Sequence, residues 1–192
     1  MGEIRIRSYR QQDAAHVIAI YRDACESLRK SKGGQQSDHT VDALITQSDR
    51  EILHDLTTNS ILLIAEVDGD SAGIGVLTRT LPLRLCNSAY SKAHYVLRKY
   101  QGKGVGSRLR HATLDLARQL GCRKVYGFST PEAVEFHKRF GARFIPRLDT
   151  VDPKSGMKLQ YYEFALKQSI LNEVRFEPLF FTLGKLRRKA WA

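Results

Sequence analysis

Three glycines at alternate positions, Gly102, Gly104 and Gly106, form the stretch of this chain with the clearest chemical meaning. A strand-like run precedes them. After them, apolar residues recur over 109–120 mostly at three- and four-residue spacing, which predicts a helix. Glycine leaves backbone N–H groups accessible, and a helix start adds unpaired N–H donors with a partial positive charge. The order strand, Gly-rich turn, helix therefore predicts a site for a phosphate or pyrophosphate.

The spacing of these glycines separates this turn from two common phosphate loops. The Walker pattern Gly-x4-Gly-Lys-Ser/Thr is absent, and the dinucleotide pattern Gly-x-Gly-x-x-Gly does not fit. The sequence contains Gln101-x-x-Gly104-x-Gly106, which resembles the acyl-CoA pyrophosphate loop of the GCN5-related N-acetyltransferase (GNAT) family, Gln/Arg-x-x-Gly-x-Gly/Ala. The alternative is a Gly-rich turn without a ligand. The resemblance implies that acetyl-CoA, as acyl donor, is bound by Gln101, Gly102, Lys103, Gly104, Val105, Gly106 and Ser107.

A second stretch about thirty residues later resembles the family pattern Asn-x-x-Ala-x-x-Phe-Tyr-x-x-x-Gly-Phe. Three positions match: Ala133, Phe136 and Gly141. Thr130 stands in place of the cofactor-contacting Asn, and Ala142 in place of the last Phe. His137 stands where the family has the Tyr that protonates the departing CoA thiolate. Because histidine has a reference pKa of about 6.5, His137 is our candidate general acid. The alternatives are a packing role for His137 and proton supply from water.

The general base is less clearly marked, because the early central strand lacks the Glu that family members often place there. Tyr90, His94 and Val96 share one strand face by period two, and His94 is the candidate base. A structural His94, Glu66 on the neighbouring strand, and a chain of water molecules are the alternatives. By resemblance, backbone groups around Tyr95 and Val96 pair with pantetheine as an added strand would, and the N–H near Val96 polarises the thioester carbonyl. No metal is expected.

The composition is that of one soluble globular domain. The chain has 192 residues, with 42% hydrophobic and 27% charged residues, which lies in the ordinary range. No apolar run approaches the ~20 residues of a membrane span, and the N-terminus lacks a signal-peptide core. A cytoplasmic chain without a membrane partner is therefore expected. Three cysteines without paired spacing predict neither a disulfide framework nor a zinc site.

The positive charge is concentrated in the second half of the chain. Residues 98–192 hold 20 of the 31 Lys and Arg residues but only 8 of the 20 Asp and Glu residues. This distribution fits a cofactor with several phosphates. It also fits nucleic acid or an acidic substrate, but nucleic acid is not the expected partner, because the aromatic residues of the basic tail favour burial.

The hydrophobic pattern predicts an α+β fold, a GNAT-like mixed central sheet with helices on both faces. The expected strands are 4–7, 61–67, 73–80, 89–97, 124–129, 144–148 and 159–166, and the expected helices are 13–30 capped by Asp13, 41–58, 107–120 and one from Pro131 to Phe140. Residues 1–166 form the predicted acyltransferase domain. Residues 167–192 form a C-terminal extension that packs on its own domain or acts as the arm of a homodimer.

The resemblance implies an N-acetyltransferase that moves an acetyl group from acetyl-CoA to a primary amine by direct attack. The acceptor is a small-molecule amine or a protein N-terminus or lysine, and the sequence does not choose between them. The alternative is a non-catalytic acyl-CoA or nucleic-acid binding module on the same fold. The missing Tyr, the missing early carboxylate and the basic second half of the chain make that alternative plausible.

Overall fold

The computed structural model of the chain describes residues 2–31, 46–79, 87–152 and 156–166. The strands are β1 (Ile4–Ser8), β2 (Ser60–Val67), β3 (Asp70–Arg79), β4 (Ser88–Val96), β5 (Lys124–Ser129), β6 (Arg143–Phe144), β7 (Thr150–Val151) and β8 (Lys158–Ala165). The helices are α1 (Ala14–Ser31), α2 (Asp49–Thr57), α3 (Val105–Gln119) and α4 (Val134–Arg139). No helix among these residues is long and apolar enough to cross a bilayer.

The strands form one mixed sheet in the order β1-β2-β3-β4-β5-β8-β6, with β7 paired to β8. Among the described strands, β4 and β5 are the parallel pair and the other neighbours are antiparallel. One core packs α3 against the sheet through Val105 and Leu109. A second core packs α1 and α2 against the opposite face through Val17 and Ile52. The predicted α+β fold with helices on both faces is confirmed.

The start of α1 differs from the prediction. Asp13 does not cap the helix but closes a short 3-10 turn, Gln11–Asp13, that precedes it. Its carboxylate accepts the Arg10 backbone N–H at 2.7 Å and pairs with Arg7 at 2.7 Å. Arg7 also bonds Glu66 on β2 at 2.7 Å. Asp13 thus supplies the acidic half of a capping box, and its ion pair ties β1 and β2 to the start of α1.

The second helix begins later than expected. Residues 41–45 lie outside the described part of the chain, and residues 46–48 are not helical. Ser48 is the N-cap, because its hydroxyl accepts the Glu51 N–H while the Glu51 carboxylate accepts the Ser48 N–H at 2.8 Å. The hairpin turn after β2 has positive φ at Asp68 (51°) and Gly69 (90°), as a two-residue hairpin turn requires.

The predicted strand 144–148 is wrong beyond Phe144. Pro146 lacks an N–H for a ladder and begins a 3-10 turn, Pro146–Leu148. The antiparallel pairing near the turn is made instead by β7, with Thr150 opposite Leu159. The end of the strand expected at 73–80 and the C-terminal extension 167–192 lie outside the described residues.

The central strand β4 contains a β-bulge that decides which side chains reach the site. Leu77 of β3 lies opposite Ser91, but the next β3 residue, Val76, lies opposite Ala93. The extra residue is Lys92. A bulge reverses the alternation of side chains beyond it.

Tyr90 therefore does not share a face with His94 and Val96, contrary to the period-two prediction. Tyr90 packs on Tyr126, with ring centroids 5.4 Å apart. His94 instead contacts the first turn of α3, where its Nε2 lies 3.0 Å from the Gly106 carbonyl oxygen. The sequence pattern could not reveal this, because a bulge inserts one residue without a compositional mark.

The strands β4 and β5 separate at the centre of the sheet. Their last pair is Ser91 opposite Gly127, and β4 continues to Val96 without β5 beside it. The Leu97 N–H bonds the Ala72 carbonyl on the β3 side at 2.9 Å. Because backbone direction alternates along an antiparallel pair, the N–H groups of His94 and Val96 point away from β3, into the opening.

Candidate active site

A cavity of about 810 Å³ occupies the opening between β4 and β5. It is walled by α1, β4, the turn 101–107, the end of β5, α4 and β8. Most of the site residues predicted from the sequence line it: His94, Tyr95, Val96, Gln101, Gly102, Gly104, Gly106, Ser107 and His137. Lys103 and Val105 do not. The Lys103 ammonium lies over the Tyr100 ring, and Val105 is buried in the core beneath α3.

The turn 101–107 presents unpaired backbone donors to this cavity. Gly102 (φ 72°) and Gly104 (φ 81°) adopt the left-handed conformation that glycine enters without a steric penalty. The first hydrogen bond of α3 runs from the Arg108 N–H to the Gly104 carbonyl at 3.0 Å. The three preceding N–H groups, at 105–107, have no carbonyl partner within the helix. The Gln101 amide donates to the Val96 carbonyl at 3.0 Å and holds the turn against the end of β4.

His94 is held by the first turn of α3. A carbonyl oxygen can only accept, so the His94 Nε2 at 3.0 Å from the Gly106 oxygen carries the ring proton. The other nitrogen, Nδ1, is buried without a hydrogen-bond partner. Burial first, then the charge of Arg110, lowers the pKa of His94 well below its ordinary value. A buried nitrogen of such low basicity suits a positioning role better than that of a general base.

His137 lies on α4 with 5% of its surface exposed. Its ring stacks on Tyr162 of β8, with centroids 4.1 Å apart. Burial, followed by the positive charge of Arg110, lowers the pKa of His137 to about 3. His137 is therefore neutral at neutral pH, so it can donate a hydrogen bond only in its neutral form.

Sequence reasoning missed three residues that surround His137. We call Ser91, Arg110, His137 and Tyr162 the buried cluster. Arg110 of α3 donates to the Ser91 hydroxyl at 3.0 Å and to the His137 Nδ1 at 3.3 Å. The signal for Arg110 was present, since it shares the helix face of Thr113, Leu114 and Ala117 by i, i+3, i+4 and i+7 spacing.

Tyr162 brings a phenol to the point where β4 and β5 separate. A Cβ atom added at Gly127 would lie 2.5 Å from the Tyr162 hydroxyl oxygen and 2.9 Å from the Ser91 carbonyl oxygen. Glycine at 127 thus leaves the space that the hydroxyl fills beside the last β4–β5 pair. The hydroxyl is a second hydrogen-bond donor on the cavity wall beside His137.

The carboxylates of the cavity are few. Glu66, an alternative base from the sequence, pairs with Arg7 and does not line the cavity. Glu132 and Asp152 are the acidic residues of its lining among the described part of the chain.

Burial raises the pKa of Tyr90 to about 12, so this phenol stays protonated. Within the described ranges, no three His, Cys, Asp or Glu side chains are grouped as metal ligands.

The comparison with protein families decides the classification. Residues 18–142 match the profile described as the acetyltransferase (GNAT) family. The chain belongs to the GNAT family. A search of curated proteins finds no match for the sequence. The GNAT assignment therefore rests on the family profile, and the similarity to solved structures adds evidence on the fold.

Solved structures share this GNAT fold at low sequence identity. A GCN5-related N-acetyltransferase from Rhodopseudomonas palustris is 20% identical with a TM-score of 0.71, covering 86% of this chain and 98% of that chain. A ribosomal-protein-alanine N-acetyltransferase from Brucella melitensis is 20% identical with a TM-score of 0.65, covering 84% and 99%. A PaiA N-acetyltransferase from Thermoplasma acidophilum, in complex with coenzyme A, is 17% identical with a TM-score of 0.60, covering 85% and 99%.

Proposed function

We propose that this GNAT-family chain transfers an acetyl group from acetyl-CoA to a primary amine by direct attack of the amine on the thioester. The observation that carries the proposal is one continuous cavity. It joins the unpaired N–H groups at the start of α3, the free edge of β4 and the imidazole of His137. The similar fold of a T. acidophilum N-acetyltransferase in complex with coenzyme A supports the choice of donor.

The turn 101–107 and β4 hold the donor. The N–H groups at the α3 start bind the pyrophosphate, since they combine unpaired donors with the positive end of the helix dipole. The pantetheine amides pair with backbone groups of His94 and Val96, which point into the opening. The thioester carbonyl accepts one of these N–H groups near Val96, so negative charge that develops on this oxygen is stabilised. Lys103 and Tyr95 make smaller contributions to binding of the donor. Lys103 adds positive charge, and Tyr95 adds its ring on the α1 side.

His137 assists departure of the CoA sulfur, and water accepts the proton that the amine loses. His137 lies beside the point where β4 and β5 separate, and the described carboxylates that line the same cavity are Glu132 and Asp152. We assign His94 to positioning the first turn of α3 rather than to base catalysis, because its bonded nitrogen is occupied and its free nitrogen is buried.

The acceptor is a small-molecule amine or a protein N-terminus or lysine side chain. Two proteins of similar fold, from Brucella melitensis and Escherichia coli, are described as ribosomal-protein alanine N-acetyltransferases, which supports protein N-termini as acceptors to test. Residues 1–166 are the proposed catalytic domain, and 167–192 an extension that packs on it or on a second copy in a homodimer.

The test is release of free CoA thiol from acetyl-CoA in the presence of an amine panel. The panel contains polyamines, amino acids, lysine peptides and peptides with a free N-terminal alanine. Thiol release with at least one acceptor class, together with the acetylated amine by mass spectrometry, is the expected result. Acetyl-CoA binding without thiol release for every class would favour the non-catalytic binding module.

A further inference from the structure

Arg110 carries a positive charge into the interior without an acidic partner among the described residues. The residue is 0% exposed. Its hydrogen bonds go to Ser91 and His137, both uncharged, and its Nε has no partner. The rings of Phe136 and Phe164 lie 5.9 and 5.5 Å from its Cζ. Aromatic faces offset only part of the hydration that a buried cation loses, and buried arginines are normally paired with acids.

The contact with Arg110 fixes the tautomer of His137. A guanidinium has five N–H donors and no acceptor, so the His137 Nδ1 at 3.3 Å must present its lone pair. The single proton of the neutral ring is therefore on Nε2. Because Arg110 occupies the Nδ1 edge, the Nε2 edge is the one left for the cavity that His137 lines.

The other groups around His137 do not favour its charged form. Arg110 approaches from α3, and His94 from β4 has its own ring proton bonded to the Gly106 carbonyl. Tyr162 of β8 stacks on the His137 ring at 4.1 Å. None of these groups is an anion. A proton added at Nδ1 would face the N–H of a cation, which agrees with the low pKa of His137.

We propose that Arg110 is a positioning residue that holds His137 as the neutral Nε2–H tautomer and places a buried positive charge behind it. His137 then donates a hydrogen bond to the sulfur of CoA as it leaves, rather than transferring a proton from an imidazolium. The proposal rests on the acetyl transfer proposed above. It also assigns a use to the unpaired guanidinium, because its charge is neutralised when the sulfur becomes anionic.

The step is balanced without a proton from His137. The amine nitrogen forms its bond to the acetyl carbon, the C–S bond breaks, and the sulfur keeps the electron pair as a thiolate. The His137 Nε2–H hydrogen bond and the Arg110 charge stabilise that thiolate. The proton lost by the amine passes to water, and the thiolate takes a proton from water on or after release. A neutral imidazole is too weak an acid to give up its remaining proton.

The arrangement reverses the logic of a Ser–His–Asp triad. In that triad a carboxylate accepts the Nδ1–H, so Nε2 becomes a base and the imidazolium is stabilised. Here a cation donates to Nδ1, so Nε2 remains a donor and the imidazolium is destabilised. Here the histidine donates a hydrogen bond to an anionic leaving group, whereas in the triad it accepts a proton from the nucleophile.

The first experiment is nitrogen-15 NMR of the full chain labelled at histidine, without ligand. We expect the His137 Nδ1 to be unprotonated and the Nε2 protonated, with no titration between pH 5 and 8. An Nδ1–H tautomer, or an imidazolium within this range, would overturn the proposal even if no Arg110 variant folds.

The second experiment measures the thiol pKa of CoA bound to the protein, by ultraviolet absorbance of the thiolate. We expect the bound thiol of the wild-type complex to titrate about one unit below the ordinary 8.5, or about tenfold more thiolate at a given pH. Arg110→Met should abolish this shift and let His137 titrate, whereas Arg110→Lys should retain part of it. Arg118→Met, which removes an exposed charge from the same helix, is the matched control and should leave the thiol unchanged.

The two proposals fail in different ways. Identical thiol pKa values and identical His137 tautomers in wild type and Arg110→Met would show that Arg110 only stabilises the fold, and would overturn this inference. Failure of the acetyl-transfer proposal would appear elsewhere, as an absence of CoA binding or of thiol release with every amine.

Discussion

The turn 101–107 and the buried cluster face the same cavity but are built in opposite ways. The turn offers backbone N–H groups from consecutive residues, and its glycines leave them accessible. The buried cluster brings four side chains together from β4, α3, α4 and β8, and its backbone is engaged elsewhere. The comparison teaches that a site made of backbone is encoded locally and can be recognised by spacing, whereas a site made of side chains is encoded by the fold.

The largest expected effect comes from a substitution in the turn 101–107, the site made of backbone groups. Gly104→Val should weaken acetyl-CoA binding about 10²-fold or more, because the side chain displaces an anion from donors worth roughly 1.5–3 kcal/mol each. Gly121→Val is the matched control. Gly121 has a similar positive φ of 76° with nothing within 4 Å of an added Cβ, so it carries the strain without the ligand.

Titration calorimetry with acetyl-CoA measures both variants, and thermal melting compares their stability. Equal losses of affinity in the two variants would mean that backbone strain, and not the phosphate site, explains the result.

The next largest effect comes from a substitution in the buried cluster, the site made of side chains. His137→Phe should lower kcat by roughly 10²-fold, the lower end of the range for removing one hydrogen-bond donor to a developing anion, with little change in KM for acetyl-CoA, because the turn is untouched. His137→Gln retains an N–H near the Nε2 position and should recover part of the rate. His137→Tyr should keep or raise activity if a phenol can serve the sulfur here.

Tyr162→Phe identifies which donor of the buried cluster matters. We expect a smaller fall in kcat than for His137→Phe, since the stacked ring is kept and only the hydroxyl is lost. Steady-state kinetics of the two variants with the same acceptor provide the comparison. A larger fall for Tyr162→Phe would place the sulfur beside the phenol instead.

The smallest expected effect is a loss of folding stability at low pH. It distinguishes the two regions, because the buried cluster contains an imidazole and the turn 101–107 does not. His94 and His137 have folded-state pKa values below the reference of about 6.5, so the unfolded chain binds more protons in mild acid. Stability is then complete above about pH 6.5 and is lost as pH falls, by up to about 1.4 kcal/mol per unit for each group.

Melting temperatures at pH 7.5 and 5.5 measure this loss. A wild-type decrease of several degrees is expected, at roughly 2–4 °C per kcal/mol for a chain of this size. The decrease should be smaller in His137→Phe. Asp13 does not contribute to the difference between the two pH values, because Arg7 holds the pKa of its carboxyl below the usual range. An equal pH dependence in both proteins would contradict the buried, neutral His137.

Local features of the fold were predictable because local chemistry decides them. Residue type and spacing indicate the turn at Asp68 and Gly69, the end of α3 before Gly121 (φ 76°) and the parallel β4–β5 pair that a helix joins. The strand 144–148 was predicted from apolar content alone and failed at Pro146, which has no ladder donor.

The spacing of α3 puts Arg110 on the apolar helix face, but no spacing joins the members of the buried cluster, which lie up to 71 positions apart, from Ser91 to Tyr162. Arg110 is a charge on an apolar helix face, a placement that composition treats as solvent-exposed. The bulge at Lys92, which brings His94 to the α3 face while Tyr90 stays opposite, leaves no mark in the sequence.

The separation of β4 and β5 also bears on how much of this protein a cell maintains. A ligand lying along β4 supplies the hydrogen bonds that a neighbouring strand would otherwise make. Bound only by the folded chain, it stabilises that state by about 2.7 kcal/mol at a hundred times its dissociation constant. Proteases act on the unfolded fraction. Under the proposed function, the folded fraction of the chain would then rise and fall with the supply of the acyl donor.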